Sequence, residues 1–168
     1  MEVEKLGDGA VLTFTDIERE TLVELFADLV AALDAEGLQP GDPVHDRLFP
    51  AGYSGHVSPE VQAQFRELTE ASLRDERIAR CAACRDELLA ADAGNGRIEL
   101  DASGYDRWLR VLNDLRLAIG TRLEISEDDG HWEVAPDDPS SAAYLLYHWL
   151  TEMQEILTLF VLRQPEGG

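Results

Sequence analysis

The sequence is poor in basic side chains. Lys5 is its only lysine, and across 168 residues fourteen bases face thirty-four acids, for a net charge of −20. A field of that sign repels phosphate backbones, so direct binding to DNA or RNA is not expected. The arginines, scattered from Arg19 to Arg163, form no basic patch that would offset it. Long apolar runs are missing too, and no stretch reaches the roughly 20 residues of a membrane span. The N-terminal Met1-Glu-Val-Glu-Lys-Leu-Gly-Asp-Gly9 lacks the basic and apolar regions of a secretory signal, which places the chain in the cytoplasm as an expectation. Two cysteines do not make a secreted disulfide framework.

Catalytic signatures are equally scarce. No GxSxG elbow, Walker glycine loop, dinucleotide fingerprint or HExxH pair occurs, and His45, His56, His131 and His148 lie far apart. His148, beside Trp149 on an apolar run, reads as a core-edge residue. Asp128-Asp129 and Asp137-Asp138 read as a turn tip and a helix lead-in. Neither an enzymatic activity nor a cofactor is expected.

What remains is an ordinary globular composition, 45% hydrophobic and 7% aromatic, at a length suited to one domain spanning residues 1–168. The acidity has two readings: a solvated, non-sticky surface, or a face matched to a basic protein partner. The first is the more general.

Val3–Leu6 and Ala10–Phe14 flank Gly7-Asp-Gly9 as a short hairpin. Thr15 with Glu18 forms a capping box, after which Leu22, Leu25, Phe26, Leu29, Val30 and Leu33 make a helical stripe that Gly37 stops. Residues 38–57, with three prolines, read as an irregular loop strapped to the core by Leu48, Phe49 and Tyr53. Ser58-Pro59 opens a helical region reaching about Ala91, expected to break near Thr69 to Ser72. Gly94-Asn-Gly96 ends it, and Arg97–Leu100 is a strand candidate. Asp101 or Ser103 caps a central helix from about Ala102 to Ile119, where Gly120 is expected to stop it. Thr121–Ile125 and His131–Val134 then read as a second hairpin, packed on a helix through Trp132. A last helix begins at Ser140 or Ser141 and presents Leu146, Trp149, Leu150, Met153, Leu157 and Phe160. The fold expectation is mainly α: a single-domain bundle of about five helices with one or two short β-hairpins.

Two constellations stand out. Cys81-Ala-Ala-Cys84 can be a disulfide, half of a zinc site with His45 and His56 as the available partners, or an inert pair. Both thiols fall inside a helix, where the Cβ vectors suit a disulfide poorly. Small residues on the apolar face favour the inert reading over a redox switch, and both over a metal. The second constellation is the helical part of the central motif, residues 102–125. Trp108 lies on its apolar stripe with Leu112, Leu115 and Ile119. On its polar half, Asp106–Arg110 and Arg110–Asp114 can pair along the surface, and Asn113 and Arg116 can act together on a bound group or hold the long loop. Trp108, Asn113, Asp114 and Arg116 are therefore the candidate interaction or loop-holding residues.

The run from Trp108 to Leu123, Trp-Leu-Arg-Val-Leu-Asn-Asp-Leu-Arg-Leu-Ala-Ile-Gly-Thr-Arg-Leu, resembles the signature of an actinobacterial domain-of-unknown-function family that includes an oxidative-stress transcriptional regulator. Asp46-Arg-Leu-Phe-Pro50 with Tyr53, and Tyr147-His-Trp-Leu-Thr-Glu-Met-Gln-Glu155, agree with it, so the likeness spans nearly the whole chain. The resemblance implies a small cytoplasmic helical regulator without enzymatic activity. It implies a protein partner, a sigma factor or other transcription component, engaged by a disulfide-closed form. The alternative it raises is an adaptor of the Clp proteolysis system, since members are often encoded beside a Clp adaptor. Homo-oligomerisation through the apolar last helix is a further possibility.

Overall fold

A computed structural model describes residues 1–7, 9–34, 37–50, 59–91, 95–125 and 138–162, with side chains in the long third helix from residue 69 and in the last helix up to residue 160. Strands β1 (Glu2–Leu6) and β2 (Gly9–Thr13) form the expected hairpin, and β3 (Arg97–Leu100) joins the other side of β2. The sheet is antiparallel in the order β1-β2-β3, with Val3 opposite Leu12 and Leu12 opposite Ile98. Five helices complete the described residues: α1 (Asp16–Leu33), α2 (Pro43–Leu48), α3 (Pro59–Ala90), α4 (Ala102–Arg122) and α5 (Ser141–Leu162). The fold is mainly α with a minor β component.

The local chemistry explains most boundaries. Thr15 Oγ1 accepts from the Glu18 backbone N–H while Glu18 accepts from Thr15 N, a complete capping box. The carboxylate of Glu18 also takes the N-terminal ammonium at 2.5 Å, which ties the first strand to α1. Asp101 caps α4 through the Gly104 N–H at 2.7 Å. The α1 stripe buries Leu22, Phe26, Leu29 and Leu33. The helix then ends at Leu33 with Asp34 as its C-cap, ahead of Gly37.

Three expectations are corrected. The segment 38–57 is not irregular throughout, because α2 forms within it; Asp42 accepts from Val44 N at 2.8 Å and Pro43 sits in the first turn. Leu48 and Phe49 are buried as expected, while Tyr53 lies outside the described residues. Second, α3 does not break at Thr69–Ser72. Thr69, Ala71 and Ser72 face solvent there while Glu70 turns inward to pair with His45 of α2, so the polar run continues the helix without an apolar stripe. Third, Thr121–Ile125 is not a strand: α4 runs through Gly120 to Arg122, and Leu123–Glu124 turn the chain. Gly120 serves closeness rather than termination, since a Cβ there would stand 2.9 Å from the Tyr147 ring of α5. His131–Val134 and Trp132 lie outside the described residues.

One apolar cluster unites the sheet and helices. Trp108 is fully buried at its centre, stacked on Phe14 at 5.5 Å and edge-on to Phe26 at 5.7 Å. α1 packs on α3, α4 on α5, and α2 on α4. Gly120 of α4 and Tyr147 of α5 thus mark a close approach in the α4–α5 seam.

Candidate functional site

The seam between α3 and α4 gathers most of the residues singled out from the sequence. Cys81 and Cys84 are one helical turn apart on the buried face of α3, at 1% and 0% exposure, and both are free thiols. Cys81 Sγ donates to the Phe26 carbonyl of α1 at 3.4 Å. Burial pushes the Cys81 thiol up to about 12, with the Asp114 carboxylate adding to the effect. Burial likewise pushes Cys84 up to about 12, helped by Glu87. Both are protonated thiols at neutral pH, and the thiolate is the reactive form. In this conformation the pair is chemically quiet.

Trp108 lies inside the core rather than on a surface, and its indole N–H donates to Glu87 Oε2 of α3 at 2.7 Å. Arg107 pairs with the other oxygen of the same carboxylate. Asp114, also buried, turns away from Arg110 and pairs across the seam with Arg77. Arg77 in turn donates through Nη2 to the Leu48 carbonyl at 2.9 Å, so Asp114, through Arg77, fixes the end of α2. Arg110 keeps Asp106 at 2.6 Å on the exposed face. Arg116 reaches α5, where Nη1 donates to Gln154 Oε1 at 2.7 Å, and Asn113 beside it is half-buried.

Sequence reasoning missed the clasp that holds α2 to α3. His45 is buried, with Nε2 2.8 Å from Glu70 Oε1 and Nδ1 3.0 Å from Asp46 Oδ1. Glu70 also accepts from Arg74 at 2.9 Å, and Arg74 donates to the Leu33 and Leu38 carbonyls at 2.9 and 3.3 Å. The Phe49 ring lies under both guanidinium groups, 5.0 Å from Arg74 and 5.5 Å from Arg77. Burial alone would lower the His45 pKa, but hydrogen bonds and charge from Glu70 and Asp46 outweigh it and raise it. The i,i+4 spacing of Glu70 and Arg74 was a readable signal; the long-range partner of His45 had none. His45, claimed by two carboxylates, is not a zinc partner for the cysteines, and His56 lies outside the described residues. Among the described residues no group of three or more His, Cys, Asp or Glu side chains is placed to hold a metal. His148 is exposed on α5 against the Tyr147 ring, not at the core edge.

A cavity of about 330 Å³ opens where α1, α4 and α5 meet, walled by Leu25, Leu29, Leu115, Ile119 and Leu146. Arg122 borders it and is held by Asp42 at 2.7 Å. Among the described residues, no helix is long and apolar enough to cross a membrane.

A single apolar core, a small three-stranded sheet and a charge-paired α3–α4 seam define a mainly helical protein with a minor sheet. The chain belongs to the family described as Domain of unknown function (DUF2017), which matches residues 1–161. It is similar to the oxidative stress regulator AosR of Mycobacterium tuberculosis and of Mycobacterium bovis, 33% identical over 135 residues that cover 74% of this chain. It spans 60% of the length of those relatives. The putative oxidative stress regulator AosR of Mycobacterium leprae is 31% identical over 169 residues, covering 92% of this chain and 75% of its own. No solved structure matches the chain.

Proposed function

We propose that this protein is a cytoplasmic regulator of the oxidative stress response that acts by binding a protein partner, a sigma factor or other transcription component, and has no catalysis of its own. The observation that carries this reading is its 31–33% identity to proteins named as oxidative stress regulators, over most of its length. The charge of −20 supports a route to promoters through a DNA-binding partner rather than through the duplex itself.

The burial of Cys81 and Cys84 bears on how such a regulator would sense oxidant. With both thiols protonated and enclosed by α1 and α4, reaction with a peroxide requires α3 to part from its neighbours first. Oxidation would then join the two sulfurs, and the two thiol hydrogens with their electrons would pass to the peroxide, which is reduced to two waters. The redox role therefore belongs to an opened form of the protein.

The test is affinity capture from native lysate under reducing and mildly oxidising conditions, with the wild type and with Cys81→Ser/Cys84→Ser. Recovery of a sigma factor or polymerase by the wild type supports the reading, and loss of oxidant dependence in the double variant assigns the switch to the pair. Tight binding of the purified protein to duplex DNA at physiological salt would overturn it.

A further inference from the structure

We infer that the outer edge of α5 is a docking surface for a basic amphipathic helix, a step that rests on the reading of the protein as an interaction module. Leu145, Trp149, Glu152, Ile156 and Leu159 follow at intervals of four, three, four and three residues, the spacing of a coiled-coil seam. The stripe is distinct from the core-facing stripe of the same helix, where Leu150, Met153 and Leu157 are fully buried. Leu145 is 72% exposed, Ile156 42% and Leu159 47%, while Trp149 is half-buried between the two stripes. Scattered single apolar residues on a surface need no explanation, but an aligned row over two helical heptads does.

Charge decides what covers this row. Ser141–Leu162 contains Glu152 and Glu155 and neither lysine nor arginine, on a chain of net charge −20. Glu152 stands at the middle of the stripe, seven residues from both Leu145 and Leu159. A second copy of α5 aligned on the stripe, parallel or antiparallel, would set Glu152 against its own counterpart in an apolar seam. Two like charges there repel, so the same residue that disfavours a second copy selects a partner carrying lysine or arginine at the facing position. The occupant is a helix with leucine-like residues at a four-three spacing and a cation at its centre.

The test uses the full chain and two designed helical peptides of equal length, each with leucines at the four-three spacing, one with arginine and one with glutamate at the central position. Binding is followed by fluorescence anisotropy, and sedimentation velocity reports the state of the chain alone. The arginine peptide is expected to bind at least about tenfold more tightly than the glutamate peptide, and Ile156→Ser or Leu159→Ser to weaken it by about tenfold. Glu152→Lys is expected to reverse the preference. These positions are exposed, and circular dichroism verifies that each variant is folded. Equal binding of the two peptides, no binding, or an unchanged preference in Glu152→Lys overturns the proposal. So does a stable dimer that Ile156→Ser dissociates. If lysate capture of a transcription component survives Ile156→Ser and Leu159→Ser, the regulatory reading stands and this surface falls. If the arginine peptide binds as described while lysate capture fails, the surface stands and the regulatory reading falls.

Discussion

His45 Nε2 of α2 lies 2.8 Å from Glu70 Oε1 of α3, and this contact joins a six-residue helix to the longest one in the fold. A helix of six residues has too few internal hydrogen bonds to persist alone. It is ordered by what it touches: Val44, His45 and Leu48 are buried, Arg77 holds its last carbonyl, and Glu70 holds its imidazole. α2 is a clasp, and its lock is ionisable.

Stability is therefore expected to depend on pH through His45. Its folded pKa is raised above the ordinary 6.5, so its contribution is complete below that value and is lost as pH rises through the folded pKa. Glu70 and Asp46 are lowered from 4.5 and 3.8; for Glu70 burial opposes the hydrogen bonds of His45 and Arg74, which prevail, and for Asp46 the His45 hydrogen bond dominates. Their contribution is present above the ordinary values and lost as pH falls through the folded ones. The groups facing His45 are Asp46 on its own helix and Glu70 on α3, with Arg74 bound to the same carboxylate. Thermal midpoints measured from about pH 3.5 to about pH 9 should peak in between. His45→Gln should flatten the alkaline limb; an unchanged limb would show that other groups set it.

Trp108 is the largest fully buried side chain among the described residues, and its indole also donates a hydrogen bond to Glu87. Trp108→Phe keeps a ring against Phe14 and Phe26 but removes a donor from a half-buried carboxylate, and is expected to lose about 1–3 kcal/mol. Trp108→Ala should lose about 3–5 kcal/mol, because a cavity is added. Urea denaturation distinguishes them: equal losses would mean that packing alone accounts for the residue.

Much of the fold was legible because its signals are local. Thr15 with Glu18, Asp101, and the Leu22–Leu33 stripe each announce an element within a few residues, and each forms as read. Asp42-Pro43 was the same kind of signal as Ser58-Pro59 but was obscured by the prolines and glycines around it. The errors at Thr69–Ser72 and Gly120 share a cause. A polar run whose inward member, Glu70, is paired with a distant histidine and a glycine at a helix crossing both look like stops unless the neighbour is known, and Tyr147 lies 27 residues further along the chain. The α3–α4 seam was half legible. Cys81, Cys84, Asp114 and Trp108 were picked out by type, but the contacts by which Arg77, Glu87, His45 and Glu70 join different helices are to partners 20 or more residues away.

Gly96 and Gly7 offer a comparison of backbone demands. Both have positive φ, 71° and 57°, but a Cβ on Gly96 would meet the Phe14 carbonyl oxygen at 2.2 Å, while one on Gly7 meets nothing within 4 Å. Gly96 also accepts from the Phe14 N–H at 3.0 Å, which places it where β2 leaves the sheet. Gly7→Ala is expected to destabilise by about 1–2 kcal/mol, the left-handed penalty alone. Gly96→Ala carries that penalty plus a backbone clash, and should exceed it clearly in chemical denaturation. Equal losses would mean that the segment near Gly96 yields without resistance.

The buried thiols make a kinetic prediction. Cys81 and Cys84 are enclosed and pushed up to about 12, so a thiol reagent reaches them only after α3 separates from α1 and α4. Under native conditions labelling should be slow, and the logarithm of its rate should rise with mild denaturant with a slope set by the surface exposed in opening. Both sulfurs should react together, because they share one helical turn and one buried face. Weakening the seam with Asp114→Asn leaves the Arg77 charge without its partner, a change that in buried pairs costs about 3–5 kcal/mol, and should accelerate labelling strongly. Fast labelling of the native wild type would place the thiols within reach of solvent without opening, and oxidation would then need no separation of α3.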